Sequence, residues 1–383
     1  MADKVKKVGN TVRRENKVKN FKRSLSLALA LALIIVSALV GLKIAEKTSV
    51  DALASGNNQS GAYPVSFSTN DIKDVKPFGK NIVVLTKKFV TVLDKGGDIV
   101  SETPVSYGDS AVYTNDSYIL VFDRLSNKYS LIDKKGNVTE RKTSESSKIY
   151  NAVVTDNGKV LMSLKSDNSS SLVGVTDKKG EDIFLWSCTQ EYIIDLALSK
   201  NGKTLYCAGI SALGGEMYTK VYAIDMKKGQ EKSYTLQSQS VIDLNCISSD
   251  KFSVLTTDGL YVFDSGKEEM LNHSVQFSSE ILCRAEDEKG NFAVITQSAG
   301  DLSQDILTVY SSSAEEKFSL SIQDGVQDIC INKEVVYLLY SDRIVQVRKG
   351  KVTDTITFEN KAVGLCESSG KLYCYSLGGV EKV

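Results

Sequence analysis

The sequence of 383 residues has few of the residues on which many functional sites depend. It contains one histidine, one tryptophan, three prolines and seven cysteines. One histidine excludes a multi-histidine metal site, three prolines exclude a proline-rich stalk, and the cysteines are too sparse for a disulfide scaffold. Apolar residues make up 42% of the chain, which is enough for a sizeable core and excludes global disorder.

The formal net charge of zero hides an asymmetry between the two ends of the chain. Residues 1–23 form a basic tail with nine Lys or Arg and two acidic residues. Residues 24–42 follow, without a single charge, and as a helix they would span roughly 28 Å, close to the thickness of a bilayer core. Because the basic excess precedes this segment, we expect a single-pass cell-membrane protein with a cytoplasmic N-terminus and an extracytoplasmic remainder.

Alternatives to this signal anchor remain open at the level of sequence. Ala52-Leu53-Ala54 is typical of a signal-peptide cleavage site, but it lies about ten residues beyond the apolar run, which is itself long for a signal peptide. We therefore predict an uncleaved transmembrane helix over 24–42 that contacts membrane lipid. Residues 43–62 are small and polar and are interpreted as a stalk. The basic tail is interpreted as a topology signal, with no nucleic-acid partner expected.

From Tyr63 onward, short β-branched and aromatic runs alternate with turns rich in Gly, Asp and Asn, which is typical of all-β proteins. One recurring element is an apolar strand that ends in Asp before a Lys/Gly turn, as in FVTVLDKGGD (89–98) and VYAIDMKKGQ (221–230). The other is a turn that begins a strand, as in SKNGKTLYCA (199–208) and ESSGKLYCYS (367–376). Asp and Asn bond to their own backbone and Gly supplies positive φ, so both turns close tight hairpins.

The second element begins a strand near residues 81, 117, 159, 203, 251, 291, 334 and 371. These positions define eight units of about 40 residues, the length of a four-stranded β-propeller blade. We therefore predict that residues 63–383 form an all-β, eight-bladed β-propeller ectodomain, with seven blades as the alternative. The last unit lacks a fourth strand, and we expect the strand-like run 63–69 to supply it and close the ring.

The motif VYAID (221–225), followed by Gly229, resembles the repeat of quinoprotein-like propellers, in which a similar strand precedes a glycine turn and a strand ending in Trp. Trp186, in EDIFLWS, occupies the equivalent late position in the third unit. The resemblance implies an eight-bladed ring of PQQ-like, WD40-like repeats. Since the chain has one Trp and no adjacent Cys pair, no quinone cofactor is expected. The whole layout resembles uncharacterised membrane-anchored propeller proteins of Gram-positive bacteria and noncatalytic propellers that scaffold envelope assembly.

Two sets of repeated residues have a structural interpretation. The acidic residues that precede the Lys/Gly turns are interpreted as turn formers; they are Asp94, Asp133, Asp177 and Asp225. Four cysteines are predicted to occupy matching places in the first strand of successive units, where another unit has Ala197; they are Cys246, Cys283, Cys330 and Cys366. An exchange of Cys with Ala indicates a small buried residue between blades, with a disulfide as the alternative.

No catalytic, cofactor-binding or metal site is predicted. A Ser-His-Asp triad would have to use His273, in LNHSVQF, which we interpret as a blade-surface or loop residue because no G-x-S-x-G motif accompanies it. No C-x-x-C spacing indicates a zinc site. The segment SALGGEMYTK (211–220) is predicted to be the longest loop between the second and third strands of a unit. Loops on a rigid scaffold often carry binding, so it is the candidate binding segment.

These observations favour a noncatalytic binding or scaffold module in the cell envelope, with a protein or cell-wall polymer as its partner. A propeller enzyme, a hydrolase or lyase that gathers residues from several blades around the axial channel, is the first alternative. An envelope sensor that signals through residues 1–23 is the second. The sequence leaves the oligomeric state and the functional face of the ring open.

Overall fold

The computed structural model describes residues 62–68, 70–144, 146–287, 289–298, 300, 303–358 and 361–383. In this part of the chain 32 β-strands are present and there is no α-helix. Consequently no helix among these residues is long and apolar enough to cross a membrane. The transmembrane helix predicted over 24–42, the basic tail and nearly all of the stalk lie outside the described residues.

The strands are numbered in chain order and group into eight blades. The short strand β1 (Val65–Ser66) comes before blade 1. Blade 1 contains β2 (Asp74–Phe78), β3 (Asn81–Leu85), β4 (Phe89–Leu93) and β5 (Ile99–Pro104); blade 2 contains β6 (Ser110–Thr114), β7 (Tyr118–Asp123), β8 (Lys128–Asp133) and β9 (Val138–Lys142). Blade 3 contains β10 (Ile149–Val154), β11 (Val160–Leu164), β12 (Ser171–Thr176) and β13 (Asp182–Cys188); blade 4 contains β14 (Tyr192–Leu198), β15 (Thr204–Leu213), β16 (Glu216–Asp225) and β17 (Glu231–Gln237). Blade 5 contains β18 (Val241–Cys246), β19 (Lys251–Thr256), β20 (Gly259–Asp264) and β21 (Leu271–Gln276); blade 6 contains β22 (Ile281–Glu286), β23 (Phe292–Gln297), β24 (Gln304–Tyr310) and β25 (Glu316–Gln323). Blade 7 contains β26 (Asp328–Asn332), β27 (Val335–Leu339), β28 (Arg343–Arg348) and β29 (Lys351–Thr357); blade 8 contains β30 (Gly364–Ser368), β31 (Lys371–Tyr375) and β32 (Gly379–Lys382).

Each blade is an antiparallel sheet of four strands, which confirms the predicted eight-bladed β-propeller. The first strands of neighbouring blades contact one another around the axis, so they line the axial channel. Blade 8 takes its fourth strand from the N-terminal side of the ring, as predicted: β1 pairs with β32 through Val65 with Val380 and Ser66 with Gly379. The closing strand is shorter than the predicted run 63–69.

The core lies between the blades. Among the described residues, the buried apolar side chains form eight clusters, and each cluster joins two neighbouring blades. In β3, for example, Val83 and Leu85 pack toward blade 2, whereas Ile82 and Val84 pack toward blade 8. Because both faces of such a strand are buried, these strands are continuously apolar rather than alternating.

The two faces of the ring carry different connections. The face that we name the turn face carries the turns between first and second strands and between third and fourth strands, including the repeated turns at 94–98 and 199–203. The opposite face, which we name the arm face, carries the connections between second and third strands and between blades. The described chain enters the ring on the turn face, because the Tyr63 hydroxyl donates to the Asp94 carbonyl at 3.0 Å.

The cysteine prediction needs correction. Cys330 and Cys366 do occupy matching places in their first strands, opposite Tyr337 and Tyr373, and Ala197 occupies the same place opposite Tyr206. However, Cys246 is the last residue of β18 and lies one place later, and Cys283 lies two places earlier in β22. Cys246 pairs with Phe252 and Cys283 with Ile295, both in regular stretches of pairing, so the four cysteines do not mark one recurring position. All seven cysteines are free thiols, so the disulfide alternative is wrong.

Candidate functional site

The candidate binding segment 211–220 is part of a long hairpin rather than a loop. The strands β15 and β16 are ten residues each and pair in register up to Leu213 with Glu216. Gly214 and Gly215 form the two-residue connection, and both have positive φ, at 63° and 92°. Two successive residues with positive φ are what a tight type I′ hairpin turn requires. The Gly-Gly pair is therefore a sequence signal for a hairpin at this point rather than for a loop.

This hairpin projects beyond the strands on either side of it. On one side β14 pairs with β15 only as far as Ile210, and on the other β17 pairs with β16 only as far as Tyr218. Residues 211–217 therefore extend past the rest of blade 4, and we name them the blade 4 arm. At its tip Leu213 is 78% exposed and Met217 is 46% exposed. A projecting tip with two exposed apolar side chains is typical of an interaction site.

The arm lies on the arm face of the ring, beside the start of the first strand of blade 4. There Tyr192, which pairs with Ile210, is 51% exposed, and Ile194 is 39% exposed. Exposed apolar side chains thus occur both at the rim of the axial channel and at the tip of the arm within a single blade. Single exposed apolar residues are ordinary, but several in one blade form a surface that a partner can cover.

A buried carboxylate lies at the base of the arm. Glu191, in the connection between blades 3 and 4, is only 1% exposed. Its Oε2 accepts hydrogen bonds from the Tyr222 hydroxyl at 2.6 Å and the Cys188 thiol at 3.1 Å. Its Oε1 accepts one from the Tyr218 hydroxyl at 3.0 Å, and the Lys220 ammonium is 3.9 Å away. A buried carboxylate is rare unless it is paired in this way.

The surroundings of Glu191 keep it ionised. Burial alone would raise its pKa, but the hydrogen bonds from Tyr222, Cys188 and Tyr218, with the charge of Lys220, hold the pKa of Glu191 below its usual range. The same burial, together with the carboxylate, raises the pKa of the Tyr222 hydroxyl. Since Tyr222 also packs edge-on against Trp186, with ring centroids 5.0 Å apart, the network joins blade 3 to the arm-bearing hairpin.

The axial channel carries a second group of acidic residues, which recur at one place in the first strands. These positions are equivalent around the ring, because each one pairs with the residue at the same place in the second strand of its own blade. Four blades have an acidic residue at this place, namely Asp74, Asp195, Asp243 and Asp328, whereas the other four have Ala111, Asn151, Cys283 and Gly364. Asp328 shows the common geometry, because its Oδ2 accepts the Leu365 backbone N–H of the next blade at 2.7 Å. These carboxylates therefore connect neighbouring blades near the arm face.

Asp195 and Asp243, in neighbouring blades, accept from the same backbone donor. Asp195 Oδ2 accepts the Leu244 N–H at 2.9 Å, and Asp195 Oδ1 accepts from the Asn151 amide at 3.1 Å. The Leu244 N–H also lies 3.1 Å from Asp243 Oδ1, so the two carboxyl groups share one donor. Burial, reinforced by the nearby Asp243 carboxylate, raises the pKa of Asp195 to about 7. Two neighbouring carboxyl groups bind one shared proton more readily than both of them ionise.

Charge around this pair is partly compensated. The Arg284 guanidinium lies 3.4 Å from Asp243 Oδ2 and donates to the Ile242 carbonyl at 3.3 Å. Further along the same strand, Glu286 accepts a hydrogen bond from the Asn245 amide, and burial raises the pKa of Glu286 well above its usual range. Within the residues that the structure describes, no group of three or more His, Cys, Asp or Glu side chains is placed to hold a metal ion.

The remaining sequence-predicted residues have the structural roles expected of them. The turn formers are confirmed: Asp133 Oδ1, for example, accepts the backbone N–H groups of Lys135 at 2.8 Å and Asn137 at 2.9 Å. These hydrogen bonds lower the pKa of Asp133. His273 lies exposed on β21, the outermost strand of blade 5, as predicted. The turn formers and His273 therefore lie outside the first strands and outside the arm.

Comparison with known proteins gives the family and the fold. A model of a family of unknown function, DUF5711, matches residues 58–382. The chain belongs to this family. No curated protein matches the sequence. The ring is similar in structure to BamB from Moraxella catarrhalis, with TM-score 0.50 and 12% identity, covering 85% of this chain and 99% of that one.

Two further solved propellers share the fold of this DUF5711 member. Sqt1 from Saccharomyces cerevisiae superposes with TM-score 0.59 at 11% identity, covering 84% of this chain and 99% of that one. AztD from Citrobacter koseri superposes with TM-score 0.53 at 14% identity, covering 81% and 90%. At these identities the similarity establishes the β-propeller fold alone.

Neither Glu191 nor the acidic residues of the first strands were predicted from the sequence, although the latter recur in a recognisable pattern. The runs YIIDLALS, VIDLNCIS and VQDICIN each contain an Asp that recurs within the first strand, namely Asp195, Asp243 and Asp328. A charged residue repeated inside a strand that lines the axis indicates a channel-facing position. Glu191 left no such signal, because its partners Tyr218 and Tyr222 are distant in sequence and meet it only through the hairpin.

Proposed function

We propose that this DUF5711 protein is a membrane-anchored, extracytoplasmic β-propeller that acts as a noncatalytic protein-binding module in the cell envelope. The blade 4 arm is the site of partner contact in this proposal. The single observation that carries it is the exposure of Leu213 and Met217 at the tip of a hairpin that extends past the rest of its blade. A rigid ring that projects one apolar tip is suited to docking into a partner's pocket.

The chemistry of the tip favours a protein over a cell-wall polymer. The side chains of Leu213 and Met217 offer no hydrogen-bond donor and at best a weak acceptor to polymer hydroxyl groups, whereas they can be fully desolvated in an apolar protein pocket. Glu216, directly across from Leu213, adds one charge at the edge of the tip. A partner with an apolar pocket and a basic rim would complement this surface.

The direction in which the chain enters the ring supports a tethered arrangement. Tyr63 contacts the 94–98 turn on the turn face, and the arm is on the opposite face. In this proposal an anchor over 24–42 precedes the ring, and the arm face is the face that binds the partner. The basic residues before the proposed anchor support an extracytoplasmic placement of the ring.

The experiment compares arm variants with a matched surface variant in the cells that make the protein. The full chain carries a proximity label at its C-terminus, and labelled proteins are identified by mass spectrometry. We expect a reproducible protein set that falls at least about tenfold in the Leu213→Ser, Met217→Ser double variant, because buried anchor residues dominate interface energies. The control is Leu185→Ser, a residue that is 54% exposed on the outer strand of blade 3. An unchanged protein set in the double variant would contradict the proposal.

A channel enzyme of the hydrolase or lyase class is the second candidate function. The observation that favours it is the pair Asp195 and Asp243, with a pKa of Asp195 raised into the neutral range by burial and by its neighbour. A carboxyl group with a pKa near neutral pH is suited to general acid–base catalysis. Turnover of an envelope polymer that is lost in the Asp195→Asn variant, while the ring stays folded, would favour the enzyme.

A further inference from the structure

The arm extends past both neighbouring strands, so neighbouring strands cannot fix its orientation. Beyond Ile210 and Tyr218 the two arm segments pair only with each other, through Ala212 with Met217 and Leu213 with Glu216. A two-stranded ribbon without other support is marginally stable in water. A defined orientation therefore needs contacts at the point where the arm leaves blade 4.

The Glu191 network supplies contacts at that point. Tyr218 is the first residue of β16 below the arm, and its hydroxyl donates to Glu191 Oε1 at 3.0 Å. Lys220 and Tyr222 follow at alternate positions on the same strand, so three side chains of one strand converge on one carboxylate. Glu191 belongs to the connection between blades, not to the hairpin, and it therefore holds the hairpin to the frame of the ring.

We propose that Glu191 is the positioning residue that holds the blade 4 arm in a single orientation for partner binding. Tyr218 and Tyr222 are the two hydroxyl groups through which it acts. This inference rests on the proposed function for its biological meaning, but the rigidity of the arm can be measured without any partner. A preorganised arm binds with less loss of conformational freedom than a mobile one.

The chemistry of the site indicates which substitution is informative. Each oxygen of Glu191 accepts from at least one donor, so Glu191→Gln puts an amide N–H against the hydroxyl of Tyr218 or of Tyr222. The volume stays the same while one side of the network loses its acceptor. Tyr218→Phe is the milder second variant, because it removes one hydroxyl and leaves the carboxylate intact.

The test is amide hydrogen exchange on the full chain, followed by mass spectrometry of a peptide that covers the arm. We expect exchange in residues 211–219 to become at least about tenfold faster in Glu191→Gln, and to increase less in Tyr218→Phe. Exchange in β12, in the neighbouring blade, should not change. The matched control is Glu231→Gln, because Glu231 is also in blade 4 and accepts from the Trp186 indole N–H at 2.8 Å, away from the arm.

The outcomes separate this inference from the proposed function. Unchanged arm exchange in a folded Glu191→Gln protein would overturn the positioning role, whatever the arm binds. If Glu191→Gln fails to fold, unchanged arm exchange in Tyr218→Phe would overturn it instead. Faster arm exchange in Glu191→Gln would uphold the positioning role. If the set of labelled proteins is also unchanged in the Leu213→Ser, Met217→Ser double variant, the proposed function is contradicted.

Discussion

Replacing Asp195 with asparagine should stabilise this protein at neutral and alkaline pH. Asp195 is half-buried beside Asp243, and its pKa is raised from 3.8 to about 7. An acid whose folded pKa lies above its unfolded value binds its proton more tightly in the folded state. Stability therefore falls as the pH rises from about 4 to about 7 and stays low above that range.

The magnitude follows from the shift. About three pKa units correspond to a loss of about 4 kcal/mol between acid and alkaline conditions, as an upper bound, since Arg284 lies close to the pair. The chain already shows that asparagine fits this position, because Asn151 occupies the equivalent place in blade 3. Its Oδ1 accepts the Ala152 N–H at 2.9 Å. The Leu244 N–H would keep its bond to Asp243.

Thermal unfolding of the full chain, followed by fluorescence, measures the effect directly. Trp186 is the single tryptophan and packs against Tyr222 in the next blade, so its emission reports loss of the ring structure. We expect Asp195→Asn to unfold at a higher temperature than the unmodified chain at pH 8, and the difference to shrink toward pH 4. Asp177→Asn is the control: the pKa of this exposed turn residue is lowered by backbone hydrogen bonds, so the substitution should bring no gain at pH 8. An Asp195→Asn protein that unfolds at a lower temperature at pH 8 would refute the reasoning.

Two further predictions concern the blades and their turns. Phe252 is fully buried and stacks between Tyr206 and Phe263, with ring centroids 4.3 and 5.0 Å away. We therefore expect Phe252→Ala to lower the free energy of unfolding, measured by urea titration, by about 3–5 kcal/mol. A loss below about 1 kcal/mol would contradict the packing. Asp133→Ala should lower the free energy of unfolding by about 1 kcal/mol at pH 7, because two backbone N–H groups lose their acceptor. The pKa of Asp133 is lowered in the folded protein, so the difference between the two proteins should disappear on acidification. An equal loss at low pH would contradict the turn role.

The repeat made the fold predictable from sequence. The second strands were placed within a residue of their observed starts, for example at 251 and 371, because Asn, Asp and Gly turns precede strands that are buried on both faces. Ring closure was predictable because the last unit was one strand short. The register within the first strands was not predictable, since bulges such as the one between Val241 and Asp243 shift residues without changing the pattern.

The candidate site was predictable only in part, because it depends on contacts between distant segments. The arm was found as an unusually long unit, yet it was interpreted as a loop. The acidic residues of the first strands could not be assigned to a site without knowing which strand lines the axis. An Asp also recurs in the turns, where it has a local structural role. Glu191 and Tyr222 lie 31 residues apart, and nothing local indicates that they meet.

The most direct test of the central claim is site-specific photo-cross-linking in the cells that make the protein. A photoreactive amino acid is placed at position 213, at the tip of the arm, and separately at position 185, on the outer strand of blade 3. We expect a discrete cross-linked protein from position 213 and none from position 185. Cross-links to the same proteins from both positions, or from position 185 alone, would contradict the assignment of the blade 4 arm as the binding site.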